Sequence, residues 1–280
     1  MTVKTILVAL NEVDQAEKLI KAAVTLGQKY QAHVIGMFVI PAAEIYPAVG
    51  MELSTQVYAG HRQFYIDHSD GVKTQFENEM ERQGLQSEWR MIDIKSSLVA
   101  DGVLHHAHQV DLIIAPQKQE NSSAGMETDF TERLIMESGR PVLVIPAFGD
   151  FAEIGNEVLV AWNGTKEAAR AVFDALPLMA DAKNVAIAWV DPKDDLERGE
   201  VLPGTELAVS LARHDLNVVT KALPTDGLPV GDALLNQANE SGADLLVMGA
   251  YGHSRIREFV FGGATRSILE TMTLPVLMSH

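Results

Sequence analysis

Three landmarks occur twice in this chain, in the same order, and that repetition limits the fold to two copies of one unit. Thr5-Ile6-Leu7-Val8-Ala9-Leu10-Asn11 returns as Glu157-Val158-Leu159-Val160-Ala161-Trp162-Asn163. Val110-Asp111-Leu112-Ile113-Ile114 returns as Ala243-Asp244-Leu245-Leu246-Val247, and Pro141-Val142-Leu143-Val144 as Pro275-Val276-Leu277-Met278. The period is far longer than the roughly 20–50 residues of solenoid repeats, so the reading is two domains and not an array. Within the second copy, apolar runs at 158–161, 185–190, 217–220, 245–248 and from 276 read as strands. Helical spacing falls between them at 166–179, 206–214, 230–241 and 265–271, the first carrying Ala169, Val172, Phe173 and Leu176 on one stripe. Strands buried on both faces and joined by helices specify a parallel sheet with right-handed crossovers. The expected fold class is therefore α/β, with two five-stranded parallel sheet domains of Rossmann-like type in tandem. Their expected bounds are 1–147 and 156–280, separated by a short glycine-containing linker.

Composition narrows the function classes. The 280 residues suffice for two ordinary domains, and a formal net charge of −16 with no basic tract argues against nucleic acid as a partner. No apolar stretch reaches the roughly 18 residues of a membrane helix. The first residues run directly into a strand without a signal-peptide core. With no cysteine, disulfides and thiolate metal sites are excluded. The expectation is a cytoplasmic protein with neither a nucleic-acid nor a membrane partner.

The chemistry-bearing segment follows the strand at 245–248. Gly249, Gly252, Gly262 and Gly263 precede helix-compatible residues beginning at Ala264-Thr265. Glycine lets the main chain approach a ligand closely, and helix-start amides attract an anion, so a phosphate belongs here. In open α/β sheets ligands lie outside the carboxyl ends of the strands, which is where this loop sits. Neither a Gly-Lys-Ser/Thr tripeptide nor a G-x-G-x-x-G fingerprint occurs. His253, Arg255, Arg257 and Arg266 supply local positive charge against Glu258; read alone, the arginines serve equally well as surface charges.

The segment resembles the G-x2-G-x9-G-(S/T) signature of the universal stress protein family, in its ATP-binding subset. The resemblance spans essentially the whole chain as a tandem pair of such domains. It implies an adenine nucleotide in the second domain, ATP with or without a divalent cation, in a regulatory stress-response role. Met248, Gly249, Gly252, His253, Gly262, Ala264 and Thr265 then fall at nucleotide-contacting positions. Gly263 departs from the pattern by removing a hydroxyl while leaving its amide. Asn163 stands where the subset has Asp beside the adenine, and Ala161 and Val190 match base-packing positions. Asn163-Gly164-Thr165 also reads as turn and cap chemistry, and both readings stand at this point. The doubly wound strand order comes from the resemblance, as does pairing of the last strands into an intrachain pseudo-dimer. That pairing would join Val142-Leu143-Val144 to Val276-Leu277-Met278; a further homodimer and an unknown protein partner are compatible with it.

The first copy departs from the motif. Pro116 takes the place of Gly249, Thr131 that of Thr265, and Thr128-Asp129 that of the two helix-start glycines. Proline removes an amide, and the Asp129 carboxylate would compete with phosphate while serving as a helix cap. The first half is thus expected not to take a triphosphate. A long helix expected at 55–83 carries Phe64, Tyr65 and Phe76, to be packed on the sheet or presented as a lid. His105 and His108 share a helical face but have no defined third ligand for a metal. Asp191-Pro192-Lys193-Asp194-Asp195 reads as a solvated loop, with Asp191 a remote metal carboxylate. No assembled nucleophile and base is legible, so slow ATP hydrolysis and a nucleotide-free scaffold are the alternatives to a binding module.

Overall fold

The computed structural model describes residues 2–43, 51–117, 126–190, 204–225, 227–251 and 263–280, with backbone alone over 51–57. Residues 3–140 form one compact unit, and residues 141–280 with residues 1–2 form the other. Among the described residues no helix is long and apolar enough to cross a membrane.

The first unit runs β1 (Thr5–Ala9), a 3-10 turn (Val13–Gln15), α1 (Ala16–Tyr30), β2 (His33–Ile40) and α2 (Met51–Arg82). It continues with β3 (Ser87–Asp93), α3 (Val99–Ala107), β4 (Leu112–Pro116) and α4 (Phe130–Glu137). The sheet order is β3-β2-β1-β4, every pair parallel. Ile6, Leu7, Val8, Ile113 and Ile114 are wholly buried, as continuous apolar runs covered on both faces must be. α2 seats Phe76 directly on β2: a Cβ at Gly36 would lie 2.9 Å from the Phe76 ring. Phe76 and Tyr65 are buried on the sheet, whereas Phe64 is exposed, so the long helix packs two of its three named aromatics.

The second unit comprises β5 (Val142–Ile145), β6 (Glu157–Trp162), α5 (Lys166–Met179), β7 (Asn184–Val190) and α6 (Thr205–Ala212). It ends with β8 (Val218–Leu223), α7 (Val230–Ser241), β9 (Leu245–Gly249), α8 (Gly263–Thr271) and β10 (Val276–Ser279). Its order is β5-β10-β9-β6-β7-β8. β6 through β10 are mutually parallel, and β5 runs antiparallel to β10 with Val144 opposite Val276 and Val142 opposite Met278. This is the strand pairing implied by the resemblance. It also explains why β5, the last strand of the first copy, groups with the second unit.

The landmark aspartates have a mechanical role. Asp111 accepts hydrogen bonds from the Lys4 and Thr5 amides at 2.8 and 2.9 Å, tying the start of β1 to the start of β4. Asp244 accepts from Gly155, Asn156 and Glu157 at 2.7, 3.0 and 3.3 Å, doing the same for β6 and β9. Another repeated contact differs in chemistry. Arg133 of α4 pairs with Asp101 of α3 at 2.6 Å, while Ser267 of α8 donates to Asp232 of α7 at 3.2 Å.

Candidate functional site

In the second unit strand order turns back between β6 and β9, and the crevice at their carboxyl ends is the natural ligand position for such a sheet. Met278, Met248, Ala161 and Ala188 form one registered row across β10, β9, β6 and β7. Because side chains alternate, these four share a face, and Val190, two residues beyond Ala188, lies on it too. The opposite face belongs to α5. Ser279 donates to Asp174 of α5 at 2.9 Å, and a Cβ at Gly249 would come 2.8 Å from the Glu167 carbonyl oxygen. Four sequence-predicted residues, Ala161, Val190, Met248 and Gly249, are thus brought to one sheet edge, three of them on the face away from α5.

Gly249 has a packing reason for being glycine. A side chain there would meet the main chain of Glu167 and Ala168 in the first turn of α5, with no flexible atom to yield. Gly263 is different, since among the described residues nothing lies within 4 Å of a Cβ placed there. Thr265 is buried, and its Oγ1 lies 3.4 Å from the Tyr251 amide, which donates to it across the loop. Ala264 sits half-buried beside it in the first turn of α8. Tyr251 has a φ of 55°, a left-handed conformation costly for a non-glycine residue. The sequence reading missed Tyr251, and it missed how the preceding residue is held. The Ala250 amide donates to the Ser279 carbonyl at 2.9 Å, and His280 Nδ1 lies 3.0 Å from the Ala250 oxygen. Gly252, His253, Arg255, Arg257 and Gly262 lie outside the described residues, as do Asp191 and residues 118–125.

Asn163 is exposed and turns back on its own loop. Its Oδ1 accepts from the Thr165 amide at 3.2 Å and hydroxyl at 2.9 Å, while Thr165 caps α5 by accepting from Ala168 at 3.3 Å. The turn-and-cap reading therefore describes this conformation. Glu167, buried in that first turn, is raised by burial but pulled below the usual carboxylate range by its own amide, Lys166 and Thr165. Arg266 engages Glu270 at 2.8 Å.

The first unit arranges the equivalent residues differently. Asn11, the counterpart of Asn163, is wholly buried: its Nδ2 donates to the Val39 carbonyl at 2.8 Å, and its Oδ1 accepts from the Val39 amide at 2.9 Å. By register Val39 is the counterpart of Val190 and Met37 that of Ala188. Ala9, Met37 and Val39 are all fully buried, whereas Ala161 and Val190 are part-exposed. The loop after β4 is tied down as well: Thr131 donates to the Pro116 carbonyl at 2.8 Å, and Gln15 to that of Gln117 at 3.0 Å. Asp129 occupies the cap position of α4, but its side chain makes no capping hydrogen bond. The helix-start carboxylate is instead Glu127, which accepts from the Val99 and Ala100 amides at 3.0 and 2.6 Å and so closes the start of α3. His108 Nδ1 faces the Ser138 carbonyl at 3.0 Å, and His105 packs edge-on to His106. Among the described residues no group of three or more histidine or carboxylate side chains is placed to hold a metal ion.

The sequence profile of the Universal stress protein family matches residues 156–280, the second half of the chain. Over that half the chain matches the universal stress protein family. A universal stress protein from Synechocystis is 30% identical over 151 residues, 52% of this chain; the match spans 49% of that relative, about half its length. Among solved structures, a universal stress protein from Archaeoglobus fulgidus superposes with a TM-score of 0.66 at 13% identity, covering 100% of this chain and 99% of that one. A putative universal stress protein from Pseudomonas aeruginosa gives 0.59 at 16% identity, covering 99% and 93%. At these identities the structural likeness establishes the tandem α/β fold alone.

Proposed function

We propose that this chain is a universal stress protein that binds an adenine nucleotide, ATP being the expected one, in its second half, and acts as a regulatory stress-response module in the cytoplasm. The observation that carries the reading is the asymmetry between equivalent positions. Ala161 and Val190 reach solvent at the sheet's turning point, and Asn163 is folded away from them. Ala9 and Val39 are sealed, and Asn11 is bonded to Val39. Part-exposed small residues beside Met248 suit a flat base, which gains most of its affinity from apolar contact and a few convergent polar groups. The first turn of α8, with Gly263 uncrowded, suits the anionic end of such a ligand. Gly252 and Gly262 complete the glycine set in sequence.

Isothermal titration of the full chain with ATP, with and without magnesium, tests the proposal. One site per chain is expected. Ala161→Phe should remove it while leaving the melting temperature close to wild type, because the new ring enters a part-exposed position. Gly252→Val and Gly262→Val should also abolish binding. No binding by the wild-type chain, or unchanged binding by a well-folded Ala161→Phe variant, overturns the assignment.

A further inference from the structure

We propose that the first half contains a second nucleobase site, at the carboxyl ends of β1 and β2, that is occupied by the chain's own Asn11 carboxamide. The inference rests on the reading of the second half as a base site and extends it to the copy that the glycine motif would dismiss.

The argument begins with the sheet. The Leu10 amide donates to the Met37 carbonyl at 2.9 Å, the last main-chain rung between the first two strands. One step further on, Val39 presents an amide and a carbonyl to the space beyond β1. Asn11 meets both at once, its oxygen accepting at 2.9 Å and its nitrogen donating at 2.8 Å. A carboxamide offers an acceptor and a donor side by side, and so does the pairing edge of adenine, with a ring nitrogen beside an amino group. Each carries one donor beside one acceptor, so either can meet a main-chain amide and carbonyl presented side by side. In the second half the corresponding carboxamide is spent on Thr165, and among the described residues no side chain takes its place on Val190. The two halves thus present the same main-chain edge, one filled from within and one without such a side-chain partner among the described residues.

Two further observations fit an internal occupant. Met37 stands where the second half has Ala188, adding bulk beside the carboxamide on the same face. Gln15, only 2% exposed in the following turn, donates through Nε2 to Gln117, and its Oε1 has no hydrogen-bond partner among the described residues. A buried acceptor left unmet by these residues suits a further donor on the ligand, such as a ribose hydroxyl of adenosine.

The test compares bound adenosine per chain by equilibrium dialysis; adenosine is chosen because it needs no phosphate loop. Wild type should bind one equivalent, and Asn11→Gly/Met37→Ala should bind two. Adding Ala161→Phe to that double variant should return it to one. If the double variant keeps its near-ultraviolet circular dichroism and still binds no more than wild type, the inference fails while the second-half assignment stands. If wild type binds none and Ala161→Phe has no effect in any background, the second-half assignment fails. Hydrogen exchange on the wild-type chain answers independently of any variant's folding. Adenosine should slow exchange of the Val190 amide and leave Val39 unchanged; slowing at Val39 in wild type would show that site already open and overturn closure by Asn11.

Discussion

Gly249→Ala separates a structural glycine from a ligand-facing one. The added Cβ would sit 2.5 Å from the Glu167 carbonyl carbon and 2.8 Å from its oxygen, and closer still to the Ala168 nitrogen. All three belong to the first turn of α5, which Thr165 fixes by its cap. Relief therefore requires moving a helix start against a strand end, not rotating a side chain. Overpacking of this kind costs about 1–3 kcal/mol, and the rigid neighbours place the estimate at about 3 kcal/mol. At roughly 3–4 °C per kcal/mol for a unit of this size, Tm should fall by about 10 °C. The assay is urea unfolding without nucleotide, followed by the fluorescence of Trp162 and Trp189 at the registered ends of β6 and β7. Gly263→Ala is the control, because its Cβ meets nothing among the described residues and alanine favours the helix by up to about 1 kcal/mol. A Gly249→Ala protein within about 0.5 kcal/mol of wild type would refute the reasoning, leaving ligand contact as the only role for that glycine.

Other consequences are as direct. Asp244→Ala removes a carboxylate that receives three main-chain amides and should cost about 2–4 kcal/mol by thermal denaturation, with Asp111→Ala, whose two amides are exposed, costing less. Thr131→Val removes the buried donor to the Pro116 carbonyl and should cost about 1–2 kcal/mol in urea titration, with ATP affinity unaltered. Ser96 and Arg133 hold the Asp101 carboxyl below its ordinary range. That contribution is complete above the unfolded pKa near about 4 and disappears as pH falls through the lower folded value. Asp101→Asn should therefore be less stable than wild type at neutral pH, and the gap should close on acidification; a gap that is constant with pH would contradict this.

Much of the fold was legible because its determinants are periodic. The helices at 166–179 and 230–241 were bounded correctly from apolar spacing, and the strand at 185–190 was found one residue short of its start at Asn184. Asp111 and Asp244 were visible as landmarks, but their clamp on the first strand of each copy was not, since it depends on strand starts becoming adjacent in space. The site was legible in part. Ala161, Val190 and Met248 were named from the resemblance, and the strand register then puts them on one face. What remained hidden was side-chain direction. Asn11 and Asn163 occupy the same place in the repeat, yet one closes on Val39 and the other on Thr165. The difference follows from neighbours far away in sequence: Val39 lies under α3, where Gly102 leaves room for its methyl groups, and no local pattern announces that. Gly249 was legible as a glycine of consequence, but the reason, helix-to-strand contact, required the packing.

β5 lies beside β10 although it belongs to the first copy by sequence. A gene fragment starting at residue 156 would keep every strand of the second repeat and lose that antiparallel neighbour. Its bare margin at β10 would then invite a like fragment to dock in the vacated lane, turning a protein built to guard its own seam into a sticky one. A fragment beginning at residue 141 keeps that neighbour on β10. The four residues of β5 thus decide whether β10 keeps a neighbour when the second half is cut free.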